Sequence, residues 1–543
     1  MDSSSELDRP DDDIDLVAAP IRYPRSPLIA LLAIALVPTL GLYALQRWAD
    51  DEADQYEATR AAVAELSGEA PDPGFFEPDL DGGVDADGNG IRDDRESSAD
   101  DGDVPADSEA QIDALATALF DYRRAPSAVA DIASARQLGA SVDPVFSFLS
   151  DRSCGAVSVG GSVVSSKNLD LPVIPASNQK LIVAAMALEV LGPDHRFTTS
   201  VAVPTPVDGV VDGDIFLIGG GDPLLTSDDY PIDDDRLPAF NTTSLDVLAD
   251  AVVEAGVSRI RGTIIGDGTR YDDEFFVPEW ADGIAGVDAG PYDALLANDG
   301  RVRGRSSVDS DPNLGAAREF ARLLGNRGVR VDNGWGSGVT STLVPVVGSV
   351  QSAPLTDVIA EMLVTSDNNT AEMLVKEIGV VGAGNGSRVA GLQVMLDTLA
   401  SLDLPVEGVV LNDGSGLSVS NRVTCALMIE LLQRFDGTAL DDGLPVAGQS
   451  GTLSDEFLES PMLGRLRAKT GTLGNEPFES DPPAVKALAG YISTPRSASI
   501  EFVMIVNDND ISLPDKYQPL WDAFGERVST YPSGPDAASL GPR

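Results

Sequence analysis

Strand-forming runs that alternate with helical ones place this 543-residue chain in the mixed α/β (α+β) class. Three observations carry that expectation. The run "LIVAAMALEVL", residues 181–191, is apolar almost all round, as a helix buried in a domain core must be. Residues 201–350 hold short runs such as "GDIFLIGGGDP" and "RIRGTIIGDG" separated by Gly, Asp and Pro, which predicts a large β-rich insertion. Near the start an uncharged stretch gives way to a strongly acidic one, which sets one transmembrane helix and an acidic linker ahead of the folded part.

Residues 1–25 read as an acidic cytoplasmic tail. "SPLIALLAIALVPTLGLYAL", Ser26 to Leu45, is charge-free and long enough at about 1.5 Å per residue to cross a hydrocarbon core of roughly 30 Å, so residues 26–47 are predicted to be an anchor. Arg22 and Arg25 precede it, while Arg47 is followed by Asp50, Asp51 and Glu52. The positive-inside rule then puts the rest of a single-pass protein of the cell membrane outside the cytoplasm. A cleaved signal peptide is the rival, but its leader would be acidic and it lacks a clear A-x-A site.

Residues 48–107 form the linker: positions 50–113 carry 22 Asp or Glu against Arg60, Arg92 and Arg95. Inside it "DADGNGIRDDRE" sets Asp85, Asp87, Asn89, Asp93 and Glu96 at positions 1, 3, 5, 9 and 12 of a calcium loop, with Gly90 at the sharp turn. Ile91 and Arg92 depart from the usual pattern, and an ordinary acidic linker is the alternative reading.

Residues 108–200 and 351–532 are expected to form one domain around the insertion. Cys154 to Ser166 reads as two short strands about a Gly160-Gly161 turn, and the apolar helix follows. Helical periodicity returns at Leu355 to Val364. "LRAKTG", "VKALAGYIS" and "IEFVMIVND" look like consecutive strands, and "DKYQPLWDAFGERVSTY" closes as an amphipathic helix before a tail at 533–543. No repeat of 20–50 residues is apparent, and the echo between "SGTL" at 450 and "TGTL" at 470 reads as chance.

A net charge of -50 excludes a nucleic-acid binder, which needs a basic stripe for phosphates. The acidity persists outside the linker, as in proteins from saline habitats. His195 is the single histidine, which argues against a His-rich zinc site and a Ser-His-Asp triad. Cys154 and Cys425 fit no CxxC spacing; in an exported domain they form either one disulfide or two separate buried thiols.

Nucleophilic chemistry therefore needs another base. Ser177 and Lys180 stand three apart at the mouth of the apolar helix, close enough for hydroxyl and ammonium to meet. Burial there lowers a lysine pKa and turns the amine into a base for a hydroxyl that is a weak nucleophile alone. Unpaired N–H groups at the helix start suit an oxyanion. "VTSDNNTAEMLVKEIG" places Ser366 and Asn368 two apart on a polar corner between helical patterns, facing one cleft. "RLRAKTGTL" ends a strand with Lys469, Thr470 and Gly471: a cation for a carboxylate, and a glycine that lets a substrate backbone approach the edge. Only six lysines exist in the chain, and two sit in these motifs.

S-x-x-K, S-D-N and K-T-G in this order form the signature of serine penicillin-binding proteins and β-lactamases. Ser366 follows Ser177 by 189 residues, too far for a compact β-lactamase, so a whole domain is inserted between the first two motifs. With "PASNQKL", "LEVLGPDHRFTT", "GGGDPLL", "LLANDG", "DGSGLS", "NRVT" and "AKTGTL", residues 140–530 resemble the D-alanyl-D-alanine carboxypeptidase and endopeptidase family, the class C low-molecular-mass penicillin-binding proteins.

That resemblance implies a β-lactamase/transpeptidase-like domain: an antiparallel sheet with helices on one face, a helical lobe on the other, and the active site between. It makes Ser177 the acylated nucleophile, Lys180 its base, Ser366 the proton relay to the leaving amine, and Asn368 the holder of the substrate's peptide group. Lys469 and Thr470 would bind the terminal carboxylate, beside Gly471, with the Ser177 and Thr472 N–H groups as oxyanion hole. The partners implied are peptidoglycan stem peptides as substrate and β-lactams as inhibitors, with no catalytic metal or organic cofactor. A β-lactamase or esterase on this fold, and a non-catalytic calcium-dependent wall protein, are the alternatives. "GNEPFESDPPAV" after the third motif is longer and more acidic than the family pattern leads one to expect.

Overall fold

In the middle of a five-stranded sheet, side chains alternate between two apolar layers, so the inner strands read as nearly continuous hydrophobic runs. The strands of this body are β1 (Cys154–Val159), β2 (Ser162–Lys167), β3 (Leu466–Leu473), β4 (Ala484–Ile492) and β5 (Ile500–Asp508), in the antiparallel order β3-β4-β5-β1-β2. Every residue of β4 is buried. Val485, Ala487, Ala489 and Tyr491 face one layer, Ala484, Leu488 and Ile492 the other. The coordinates are a computed structural model describing residues 126–534, apart from 231–238, 281–282, 304–306, 477–480 and 496–498. The anchor at 26–47, the linker at 48–107 with Asp85, Asp87, Asn89, Asp93 and Glu96, and residues 1–25 and 535–543 lie outside the described residues. Among the described residues no helix is long and apolar enough to cross a membrane.

One layer is built by α1 (Pro126–Ser147) and the closing helix Pro514–Ser529, which bring Phe146, Trp521 and Phe524 onto the sheet. The other is a helical lobe: α2 (Gln179–Leu191), α3 (Leu355–Thr365), α4 (Asn368–Ala383), α5 (Arg388–Ser401) and α6 (Cys425–Phe435). Residues 181–187 of α2 are fully buried, as their unbroken apolarity predicts. Cys154 on β1 and Cys425 at the start of α6 form a disulfide, with Cα atoms 6.0 Å apart, which resolves the two alternatives the sequence leaves open.

Between α2 and α3 the chain leaves to build a second sheet, in the order Trp335–Ser337, Ile264–Asp267, Ile215–Ile218, Thr198–Ala202, Val346–Gln351. Its first three strands are parallel. A third, three-stranded parallel sheet pairs Arg330–Val331, Arg259–Ile260 and Val210–Val211. The insertion, expected to be β-rich, also holds helices Asp246–Glu254 and Pro312–Asn326, because parallel strands need crossover connections. Their apolar faces, with Leu248, Val252, Phe320 and Leu324, fill its core.

The segment 270–292 of the insertion grips the helical lobe. Arg270 donates from Nε and Nη2 to Glu377 at 2.8 and 2.6 Å, and Tyr271 adds its hydroxyl at 3.1 Å. Lys376 pairs with Asp272 at 2.7 Å and Arg388 with Glu274 at 2.6 Å. Met373 of α4 packs among Tyr271, Trp280 and Tyr292.

Candidate active site

Ser177 lies in a tight 3-10 turn, Ala176–Asn178, that runs directly into α2. The turn is wedged between two glycines. A Cβ on Gly416, which has φ +85, would come within 1.9 Å of the Ala176 carbonyl oxygen. One on Gly471 would meet Pro175 O at 3.0 Å and Ala176 Cβ at 3.2 Å. Gly471 therefore also lies in close contact with the serine turn, where a side chain would fit only if the turn gave by a few tenths of an ångström. The third motif also lies inside β3 rather than at its end, since Gly471 still pairs with Ala487.

Lys180 is completely buried and its three donors are all engaged: Ser177 Oγ at 3.1 Å, Asn368 Oδ1 at 2.7 Å and the Ser415 carbonyl at 2.8 Å. Burial lowers its pKa to about 8, against the opposing pull of Asp367, Asp413 and Glu372. An amine so placed gives up its charge far more readily than a surface lysine.

Ser366 turns the corner between α3 and α4 in the left-handed region, φ 63 and ψ 33, sparsely populated for a non-glycine residue. Asp367 caps α4 by accepting from Thr370 N at 2.5 Å, which leaves Asn368 as its first residue. Lys469, also fully buried, donates to Ser366 Oγ at 2.9 Å and to its neighbour's carbonyl, Thr470 O, at 3.0 Å. Burial first, then the charges of Lys180 and Lys486, hold its pKa well below the ordinary lysine range.

The three motifs thus meet in two linked pairs, Ser177 with Lys180 and Ser366 with Lys469, and Asn368 touches the first pair. Thr470 Oγ1 lies 2.9 Å from Thr452 Oγ1, and Thr472 is exposed on edge strand β3. His195 Nε2 instead faces Glu377 Oε1 at 3.4 Å. Among the described residues no group of three His, Cys, Asp or Glu side chains is placed to hold a metal ion.

Four participants are not singled out by sequence reasoning. Ser415 supplies a carbonyl to Lys180 from "DGSGLS", a loop pinned by Asp413 and Glu372: Glu372 accepts from Ser415 N at 2.7 Å, and Asp413 from Trp280 Nε1 of the insertion at 2.9 Å. The main-chain carbonyl of Asp288, also in the insertion, accepts from Asn368 Nδ2 at 2.7 Å. Thr452 belongs to the "SGTL" echo read as chance. Lys486 bonds Thr472, and its one sequence signal is the scarcity of lysine.

The profile of the D-Ala-D-Ala carboxypeptidase 3 (S13) family matches residues 157–309 and 296–524. The chain belongs to this family. As an S13 member it is a serine-type D-Ala-D-Ala peptidase, a hydrolase. It is 29% identical over 456 residues to the D-alanyl-D-alanine carboxypeptidase of Actinomadura sp. (strain R39), covering 68% of this chain and 79% of that one. It is 30% identical over 367 residues to carboxypeptidase DacB of Mycolicibacterium smegmatis, covering 64% and 74%. Penicillin binding protein 4 of Haemophilus influenzae superposes with a TM-score of 0.58 at 19% identity, over 71% of this chain and 98% of that one, and shares the fold of this S13 chain.

Proposed function

We propose that this S13 peptidase removes the terminal D-alanine of peptidoglycan stem peptides, or cuts D-alanyl cross-links, through an acyl-enzyme on Ser177. The observation that carries this reading is the buried Lys180 amine, 3.1 Å from Ser177 Oγ. Ser177 Oγ attacks the carbonyl carbon of the penultimate D-alanine as Lys180 Nζ takes its proton. The Ser177 and Thr472 N–H groups stabilise the oxyanion. When the C–N bond breaks, Ser366 gives its hydroxyl proton to the leaving amine and is reprotonated by the Lys180 ammonium, so the proton taken from Ser177 ends on the amine. Lys469 at 2.9 Å supports the Ser366 hydroxyl. Water then releases the shortened peptide and regenerates Ser177. Asn368 holds the peptide group, and Thr470, Gly471 and Thr472 present the strand edge on which the terminal carboxylate sits.

Penicillin is read as a substrate mimic that acylates Ser177. A Haemophilus influenzae structure of penicillin binding protein 4 in complex with a β-lactam, similar at a TM-score of 0.53 and 20% identity, suits that reading. From sequence alone we further place residues 26–47 in the cell membrane with the catalytic domain outside the cytoplasm, and calcium on Asp85, Asp87, Asn89, Asp93 and Glu96 of the linker. Mass spectrometry of muropeptides incubated with the soluble domain tests the activity. Loss of one alanine from pentapeptides marks a carboxypeptidase, and conversion of dimers to monomers an endopeptidase. Turnover that survives Ser177→Ala would sink the mechanism.

A further inference from the structure

Lys486 sits on β4 directly opposite Thr472 of the edge strand, and its Nζ donates to Thr472 Oγ1 at 3.0 Å. It is almost fully buried, on the sheet face where Ala484 and Leu488 are its apolar neighbours. Its ammonium stands 3.8 Å from the Tyr517 ring centroid and 4.9 Å from that of Trp521. Glu456, which accepts from Tyr517 Oη at 2.7 Å, and Lys469 are the other titratable groups that act on it or feel it.

A cation in such a layer is costly where an alanine or leucine would pack, so its retention needs a reason. Aromatic faces offset part of that cost. An ammonium has donors and no acceptor, so Thr472 Oγ1 must be the acceptor in their bond. The hydroxyl proton of Thr472 is then left for another partner, and the exposed side of Thr472 is the strand edge. A threonine that would otherwise rotate between donor and acceptor roles is set as a donor towards an incoming anion.

We propose that Lys486 is a positioning residue of the terminal-carboxylate subsite: it fixes the Thr472 hydroxyl as a donor and backs the edge strand with a second cation behind Lys469. The ligand class is a peptide with a free C-terminal carboxylate. The proposal rests on the carboxylate assignment of Thr470 to Thr472 given above.

Steady-state kinetics of Lys486→Met tests it, with a peptide ending in D-alanyl-D-alanine and the same peptide as its C-terminal amide. The variant is expected to raise KM for the acid about ten-fold, the scale of one charged hydrogen bond, with kcat little changed. KM for the amide should not move, whereas a merely structural defect would affect both peptides and kcat as well. Lys486→Gln, which keeps a donor without the charge, should fall between, and serves as the test if the methionine variant does not fold. Unchanged KM for the acid, or equal losses on acid and amide, overturns the proposal. Wild-type protein that neither releases D-alanine nor is acylated by penicillin at Ser177 would instead overturn the underlying peptidase reading.

Discussion

Lys180 shows how far one side chain is shaped by what surrounds it. Its three hydrogen bonds aim the amine, and burial brings its pKa to about 8 although Asp367, Asp413 and Glu372 all favour the charge. The neutral amine is the form that accepts the Ser177 proton, and its fraction falls about ten-fold for each pH unit below the pKa. Acylation by a labelled penicillin should therefore accelerate as pH rises and level off above about 8. A rate that stays flat, or falls, across that range would exclude Lys180 as the base. Lys180→Arg should lose nearly all acylation, since a guanidinium stays charged throughout.

The disulfide joins a central strand to the first turn of α6, across a sequence separation of 271. Replacing both cysteines by alanine should cost about 2–4 kcal/mol, read as a lower denaturant midpoint, because the unfolded chain regains a long loop. An unchanged midpoint would show that packing alone holds β1 to α6. Local patterns reveal elements well: the burial of α2, the strand character of β3 to β5 and the corner at Ser366 are all visible in short windows. The pairing of Cys154 with Cys425 is not, because it depends on distant elements meeting. The same holds within the site. Ser177 with Lys180 and Ser366 with Asn368 lie close in the chain, whereas Asp288, Ser415, Thr452 and Lys486 reach it through tertiary packing. The helices of the insertion were masked by the Gly, Asp and Pro punctuation around them, which dominates a reading window there.

The insertion begins and ends at one place, since Phe197 N donates to Ser352 Oγ at 3.0 Å and Ser352 N to Phe197 O at 3.0 Å. Geometrically, then, residues 198–351 are a cassette that a short splice could remove. Energetically they are not. Excision would strip Arg270 from Glu377, Asp272 from Lys376 and Glu274 from Arg388, removing the three ion pairs that dock the insertion onto the lobe. It would also bare Met373 and free Asp413 from Trp280, beside the loop that holds Lys180. The spliced chain should emerge insoluble or without the near-ultraviolet dichroism of a packed core, and a soluble, penicillin-acylated product would refute this. A segment that can be cut at a single point has become a part the enzyme cannot stand without, which makes the trimming of this scaffold to a minimal peptidase a redesign of α4 rather than a deletion.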